Sequence, residues 1–247
     1  MPTAQDLTDS AAGYLTPVPQ VSEGVCDVCH GAPSAGYPRC FSCAETCRQV
    51  AHPVQRVVPI SLYQIPGQLH HVLRGYKDNP DAAVRARFSL IVAALLTRFL
   101  SRHGDCVAKA AGGAFELATT VPSSGERPLP HPLDQAIQRS PWLSRQCRPL
   151  LARGHGDLGH NRASELAFMV TEEVRGRRVL LLDDTFTTGA SLQSAASALT
   201  VAGAQVVAAV PVGRVINPEF NAESGELWST AAATAFDFER CCLCSRA

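Results

Sequence analysis

The chain has 247 residues, 46% of them hydrophobic, with 22 Lys plus Arg against 22 Asp plus Glu. That length suits one α/β domain with appendages, or two small domains. Zero formal net charge excludes a bulk electrostatic signature of nucleic-acid or anionic-membrane binding and leaves only a local basic groove for such partners.

Residues 1–24 are polar and rich in small side chains, with Pro17 and Pro19. They read as a flexible arm. The stretch lacks a basic start and an apolar core, so it does not read as a signal peptide. No apolar run has the length of a membrane span, and residues 90–100 are broken by Thr97 and Arg98. The expected location is cytoplasmic, with no membrane partner, where thiols stay reduced.

Reduced thiols matter because the chain has ten cysteines. Cys26, Cys29, Cys40 and Cys43 form two C-x-x-C pairs separated by ten residues. Each such turn aims two thiolates at one point, and two turns complete a tetrahedral zinc site. The predicted knuckle spans residues 25–52 and is too short for a core of its own, so the metal would supply its folding energy. Four thiolates leave no open position, which makes the predicted zinc structural. Cys47, one helical turn after Cys43, is an alternative ligand. Cys241 and Cys244 form a third C-x-x-C around Cys242. It either binds a second metal with outside help or packs against the first knuckle.

Residues 57–63 predict a strand, and residues 68–75 a short helix or turn. Arg74 and Lys77 follow. Asn79 is placed to cap the next helix, with Pro80 at its first position. Val84, Phe88, Ile91, Val92, Leu95 and Phe99 mark one buried face of that helix, which is expected to end near Gly104. Residues 115–122 predict a strand that runs into Val121, Pro122, Ser123 and Ser124, with Arg127 beyond. Residues 133–139 and 142–147 predict helices, broken at Ser140 and Pro141. Residues 150–161 are glycine-rich and carry Arg153, His155 and His160, a basic loop with a mobile backbone. Residues 163–168 predict a short helix and residues 168–172 a strand.

The most informative stretch is VLLLDDTFTTGAS, residues 179–191. Four apolar residues form a buried-strand signal. Asp183 and Asp184 follow, then a small-residue loop opened by Thr185, then a helix over residues 190–202 stopped by Gly203. The amides of Thr187, Thr188, Gly189 and Ala190 are placed to line one concavity at the positive end of that helix, a nest for phosphate. Hydroxyls of Thr187, Thr188 and Ser191 add donors. The acid pair sits at the strand's carboxyl end, where open parallel sheets bind ligands. It is placed to accept hydrogen bonds from vicinal sugar hydroxyls. A P-loop is excluded, since no Gly-Lys-Ser/Thr ends the loop, and Gly189 alone makes no dinucleotide fingerprint. The plainer alternative is an ordinary strand–turn–helix unit with an acidic turn. Residues 205–212 predict a further strand, which completes a parallel βαβ unit. The tail from Arg214 has little periodicity, and Trp228, Phe236 and Phe238 suggest that it packs back.

Residues 179–191 resemble the phosphoribosyl-pyrophosphate (PRPP) motif of the type I phosphoribosyltransferases. With the cysteine knuckle ahead of it, residues 26–213 resemble the ComF family, a zinc knuckle followed by a type I phosphoribosyltransferase domain. The resemblance implies an α/β fold with a parallel sheet flanked by helices, over residues 53–213, followed by an extension over 214–247. It implies PRPP with magnesium as the ligand. Asp183 and Asp184 would meet the ribose hydroxyls and orient the reacting sugar, and residues 187–191 would hold the 5-phosphate. Arg74 or Lys77, with Arg153, would neutralise pyrophosphate. The stretch Leu73-Arg74-Gly75-Tyr76-Lys77 departs from the Leu-Lys-Tyr-type run of ComF chains, and of the Arg-Gly-Phe-Asn-Gln-like run only Arg127 survives. His155 and Leu158 stand where relatives tend to carry Thr and Gln. Two functions follow from the resemblance. One is transfer of phosphoribosyl to a nitrogen nucleophile. The other is a non-catalytic accessory role with single-stranded DNA or a motor protein, or a PRPP-responsive regulator.

Overall fold

Alternation along the central strand organises both layers of the structure, a computed structural model that describes residues 3–123 and 130–244. Strand β5 (Arg178–Phe186) places Leu180 and Leu182 on one face and Val179 and Leu181 on the other, all fully buried. A strand buried on both faces reads as a continuous apolar run, as this one does. Each of these side chains contributes about 1.5–3 kcal/mol through burial. Its neighbours are β1 (Ser61–Tyr63), β2 (Leu117–Thr120) and β6 (Gln205–Val215), in the order β1-β6-β5-β2, all parallel. Helix α7 (Ala190–Val201) is the crossover from β5 to β6. The protein is therefore an α/β fold with a parallel four-stranded sheet and flanking helices.

The Leu180 face packs on α3 (Gln68–Asp78) and α4 (Ala82–Ala110), and on α5 (Pro132–Gln138) and α6 (Pro141–Gln146). The Val179 face packs on α7 and the cysteine knuckle with its helix α2 (Phe41–Arg48). Gln193 of α7 is fully buried and exchanges two hydrogen bonds with the backbone of Val54, at 2.8 and 2.9 Å. That pairing pins the segment after the knuckle to the sheet layer. A hairpin of β3 (Leu151–Arg153) and β4 (Phe168–Val170) lies beside α7.

Four expectations need correction. The arm over residues 1–24 is packed. Its helix α1 (Ala4–Asp9) has a Thr3/Asp6 capping box and docks on α4, where Arg98 pairs with Asp9 at 2.6 Å. Ala11 and Leu15 are buried, and Thr16 bridges to Leu62. Asp81, not Asn79, caps α4 through Ala83 N–H at 2.8 Å, so Pro80 precedes the helix. The helix passes Gly104 and runs to Ala110, because His103 and Val107 still face the core. The tail forms α8 (Ala222–Ala232), capped by Asn221, with Leu227 and Ala231 buried beside Leu62 and Ile216. No helix among the described residues is long and apolar enough to cross a membrane.

Candidate functional site

The turn between β5 and α7 depends on one glycine. Gly189 has φ +86°, and a Cβ there would lie 2.6 Å from the Phe186 ring. The residue is therefore required both for its left-handed backbone and for its missing side chain. Gly189 offers α7 no side-chain cap; the Ala190 amide donates to the Thr188 hydroxyl at 3.4 Å, and the amides of Ser191 and Leu192 remain for a ligand. Carbonyls of the loop are held on the opposite side. Arg214 donates to the Thr187 carbonyl at 2.8 Å and reaches that of Phe186 at 3.5 Å. The Thr46 hydroxyl of α2 reaches the Thr188 carbonyl at 3.5 Å. In trans peptides the next N–H points the other way, so the amides of Thr187, Thr188 and Gly189 turn from the knuckle towards the cleft these residues line. Gly189→Val is expected to destabilise the protein by about 1–3 kcal/mol, the usual cost of a side chain forced into a disfavoured backbone region. Thermal denaturation measures this, and an unchanged Tm would show that the loop does not hold this turn.

The acid pair is asymmetric. Asp184 is 4% exposed and binds Lys77 Nζ as an ion pair and the Tyr76 hydroxyl as a donor. Asp183 is half-buried and accepts the amide of Asp184 at 2.8 Å. Burial, reinforced by the neighbouring Asp184 charge, pushes the Asp183 carboxyl well above the usual carboxylate range, against the pull of Lys77. The folded chain thus keeps a proton that the unfolded chain releases at about pH 4. Stability is lost as pH rises from there through the raised native value. Asp183→Asn removes that loss, so its Tm is expected to exceed that of the wild type at neutral pH and to converge with it below about pH 4. A Tm difference that does not change with pH would contradict this.

Around the loop lies a cleft of about 810 Å³. It brings Asp183, Asp184, Thr185, Thr187, Thr188, Gly189, Ala190 and Ser191 together with Lys77 from the end of α3. Val121, Pro122 and Ser123 join from the end of β2, and Leu158, Gly159 and His160 from the glycine-rich loop. Two expected cations are elsewhere. Arg74 is exposed on α3 and does not line the cleft. Arg153 is spent on its own hairpin, donating to the carbonyls of Ala167 at 2.6 Å and Gly156 at 3.0 Å. Arg127 lies outside the described residues.

His131, unmarked in the sequence by any motif, also lines the cleft. Its Nδ1 accepts from Leu133 N–H at 3.3 Å, which leaves Nε2 to donate to Ser123 Oγ at 2.6 Å. Arg214 is likewise indistinguishable in the sequence from an ordinary tail residue.

The second centre lies behind the loop. Sulfur atoms of Cys26, Cys29, Cys40 and Cys43 are all within 4.8 Å of one another, with Cys29 and Cys40 3.8 Å apart. Three of the four are buried and Cys40 is half-buried. Cys47 is buried but lies outside the set. This group can hold a structural zinc, and one neighbour fits a charged metal site. Arg214 is 8% exposed, and its Nε has no hydrogen-bond partner among the described residues. Burial opposes the Arg214 charge, yet Cys29, Cys40 and Cys43 beside it keep the guanidinium more firmly protonated than usual. Four zinc-bound thiolates carry net negative charge, which an adjacent buried guanidinium offsets. Arg214 also packs 5.1 Å from the Phe186 ring, and a Cβ on Gly31 would meet its Nη2 at 3.0 Å. It therefore links the cysteine centre to the carbonyls of the glycine loop.

No family model matches the chain. Over 40 residues it is 62% identical to an adenine phosphoribosyltransferase of Nocardia farcinica (strain IFM 10152). That match covers 16% of this chain and 21% of the relative, so the chain spans about a fifth of the curated protein it matches.

Proposed function

We propose that the protein binds PRPP with magnesium in the cleft between β5, β2 and α3 and transfers its phosphoribosyl group to a nitrogen nucleophile. The observation that carries this reading is the left-handed turn at Gly189, which lines the same cleft as the acid pair. The loop over residues 187–191 takes the 5-phosphate through amides and hydroxyls. Asp183 and Asp184 accept hydrogen bonds from the ribose hydroxyls. The partial likeness to an adenine phosphoribosyltransferase supports the same class of donor.

In the reaction the bond from ribose carbon 1 to the pyrophosphate oxygen breaks, and its electron pair leaves with pyrophosphate. A nitrogen lone pair forms the new bond to carbon 1, and the nitrogen then loses a proton. Magnesium carried on PRPP supplies charge neutralisation for the leaving group. The chain's own residues fix the phosphoribosyl half and stabilise developing charge. Lys77 is the one cation of the expected three, Arg74, Lys77 and Arg153, that lines the cleft, and it is the proposed partner of pyrophosphate. Zinc on Cys26, Cys29, Cys40 and Cys43 is structural in this reading.

The test mixes the protein with PRPP, magnesium and a panel of bases and amines, adenine among them, and follows pyrophosphate release. Acceptor-dependent release is the expected result, with ribose 5-phosphate as a competitor. PRPP binding without release for any acceptor would favour a non-catalytic sensor or accessory role. Absence of PRPP binding by calorimetry would overturn both.

A further inference from the structure

A second cluster of metal-ligating side chains lies away from the cleft. His103 and Cys106 project from one face of α4, three residues apart. Cys241 and Cys244 come from the C-x-x-C turn near the end of the described chain. Their four ligand atoms all lie within 4.8 Å of one another. Cys241 and Cys244 sulfurs are 3.4 Å apart, and Cys106 and Cys244 sulfurs 3.9 Å. His103 Nδ1 is 3.9 Å from Cys106 and 3.7 Å from Cys244. A tetrahedron with Zn–S near 2.3 Å and Zn–N near 2.0–2.1 Å has edges of about 3.5–3.8 Å. The four separations scatter around those edges.

We propose that His103, Cys106, Cys241 and Cys244 form a second structural zinc site that fastens the carboxy-terminal tail to α4. Three further features have the form that such a site needs. His103 is 3% exposed, and its Nε2 lies 2.9 Å from the Phe238 carbonyl. Donation from Nε2 leaves the Nδ1 lone pair for the metal, the usual outer-shell arrangement of a zinc-bound histidine. The amide of Cys241 points at Cys244 sulfur at 3.2 Å, and that of Leu243 at Cys241 sulfur at 3.4 Å. Such donors stabilise thiolate charge. Nearby contacts already hold the tail on the helix. Arg98 stacks 3.7 Å from the Phe238 ring, and Arg102 pairs with Glu239 at 3.1 Å.

The site is separate from the first knuckle. Cys241 and Cys242 join the hydrophobic cluster of the Leu180 face, whereas Cys26, Cys29 and Cys43 join that of the Val179 face. The sheet lies between them. The tail turn therefore does not pack on the first knuckle, and the outside ligands it needs come from α4. Nothing in this proposal depends on PRPP.

Metal analysis of the full chain, purified under reducing conditions from zinc-supplemented medium, decides it. Two zinc ions per chain are expected. Cys241→Ser with Cys244→Ser should leave one, and Cys26→Ser with Cys40→Ser should leave the other. Cobalt substitution adds a readout that survives poor folding of a variant. The wild type should show the thiolate-to-metal bands of two tetrahedral sites, and the tail variant those of a four-thiolate site alone. A wild-type content of one zinc, unchanged by the tail substitutions, would overturn the proposal. So would an intact mass that shows a disulfide among Cys106, Cys241 and Cys244.

Discussion

Asp183→Asn together with Asp184→Asn is expected to weaken PRPP binding by roughly a hundredfold or more. Hydroxyl donors favour the ionised form of Asp183, so in the complex both acids act as carboxylates; charge-assisted hydrogen bonds contribute about 1.5–3 kcal/mol each, and the double variant loses both. Every 1.4 kcal/mol is about tenfold in affinity. The two positions fail by different routes. Asp184 is buried against Lys77 and Tyr76, so its neutral replacement also leaves Lys77 without a counter-charge in a mostly desolvated place. Breaking a buried pair in that way destabilises a protein by about 3–5 kcal/mol. Asp183 forms no ion pair among the described residues, and its burial outweighs the pull of Lys77 and disfavours its own charge. Asp183→Asn alone should therefore fold at least as well as the wild type yet bind PRPP at least about tenfold more weakly. Calorimetric titration of both variants, read beside their Tm values, checks this. Wild-type affinity in the folded Asp183→Asn variant would remove the sugar-binding role from the acid pair.

Loss of zinc from Cys26, Cys29, Cys40 and Cys43 is expected to have the largest effect on stability. Structural zinc sites couple about 10–16 kcal/mol of binding free energy to folding in isolated peptides. If only about 4 kcal/mol of this is expressed here, Tm falls by roughly 8–16 °C for a chain of this size. The damage should reach the cleft. Arg214 lies beside Cys29, Cys40 and Cys43 and donates to the carbonyls of Phe186 and Thr187, and Thr46 of α2 touches the carbonyl of Thr188. Without the metal both anchors lose their fixed positions, and the loop amides lose their common direction. Cys26→Ser with Cys40→Ser should thus lower PRPP affinity, although no cysteine lines the cleft. Arg214→Met isolates the link. It keeps the four thiolates, and it should weaken PRPP binding at full occupancy of this zinc site. Scanning calorimetry with metal analysis and ligand titration tests all three statements. Undiminished zinc in the double cysteine variant, or unchanged PRPP affinity in a zinc-stripped folded protein, would contradict them.

Several elements were legible because their causes are local. The run from Val179 to Ser191 dictates its own form. Apolar residues bury as β5, Gly189 permits the left-handed turn, and small residues start α7. Paired cysteines at two-residue spacing can meet only at a turn, so the first knuckle was visible without any fold. Breaks at Pro80 and Pro141 were visible for the same reason, although the true cap of α4 is Asp81. Helix α8 was missed because its buried face is carried by little more than Leu227 and Ala231, too sparse a signal among small residues.

Choice of partner across the chain is a different kind of information. Lys77, Arg74 and Arg153 are equivalent as sequence, each a cation near a glycine. Only the path of α3 brings Lys77 to Asp184, while the β3–β4 hairpin spends Arg153 on its own carbonyls. The arm looked flexible because its composition is polar, yet α4 offers α1 a packing face and a cation for Asp9. His103 and Cys106 sit 138 residues or more from Cys244 and acquire a meaning only when the tail lies across α4. The sequence by itself determined the parallel α/β class, the glycine turn beside the acid pair and the first cysteine centre, since backbone preference and spacing act over a few residues. Tertiary structure alone decided which cation faces the cleft, how Arg214 joins the two centres and which side chains complete the second cluster. Those contacts depend on where distant segments pack, and burial over the whole sheet, rather than any short pattern, sets that path.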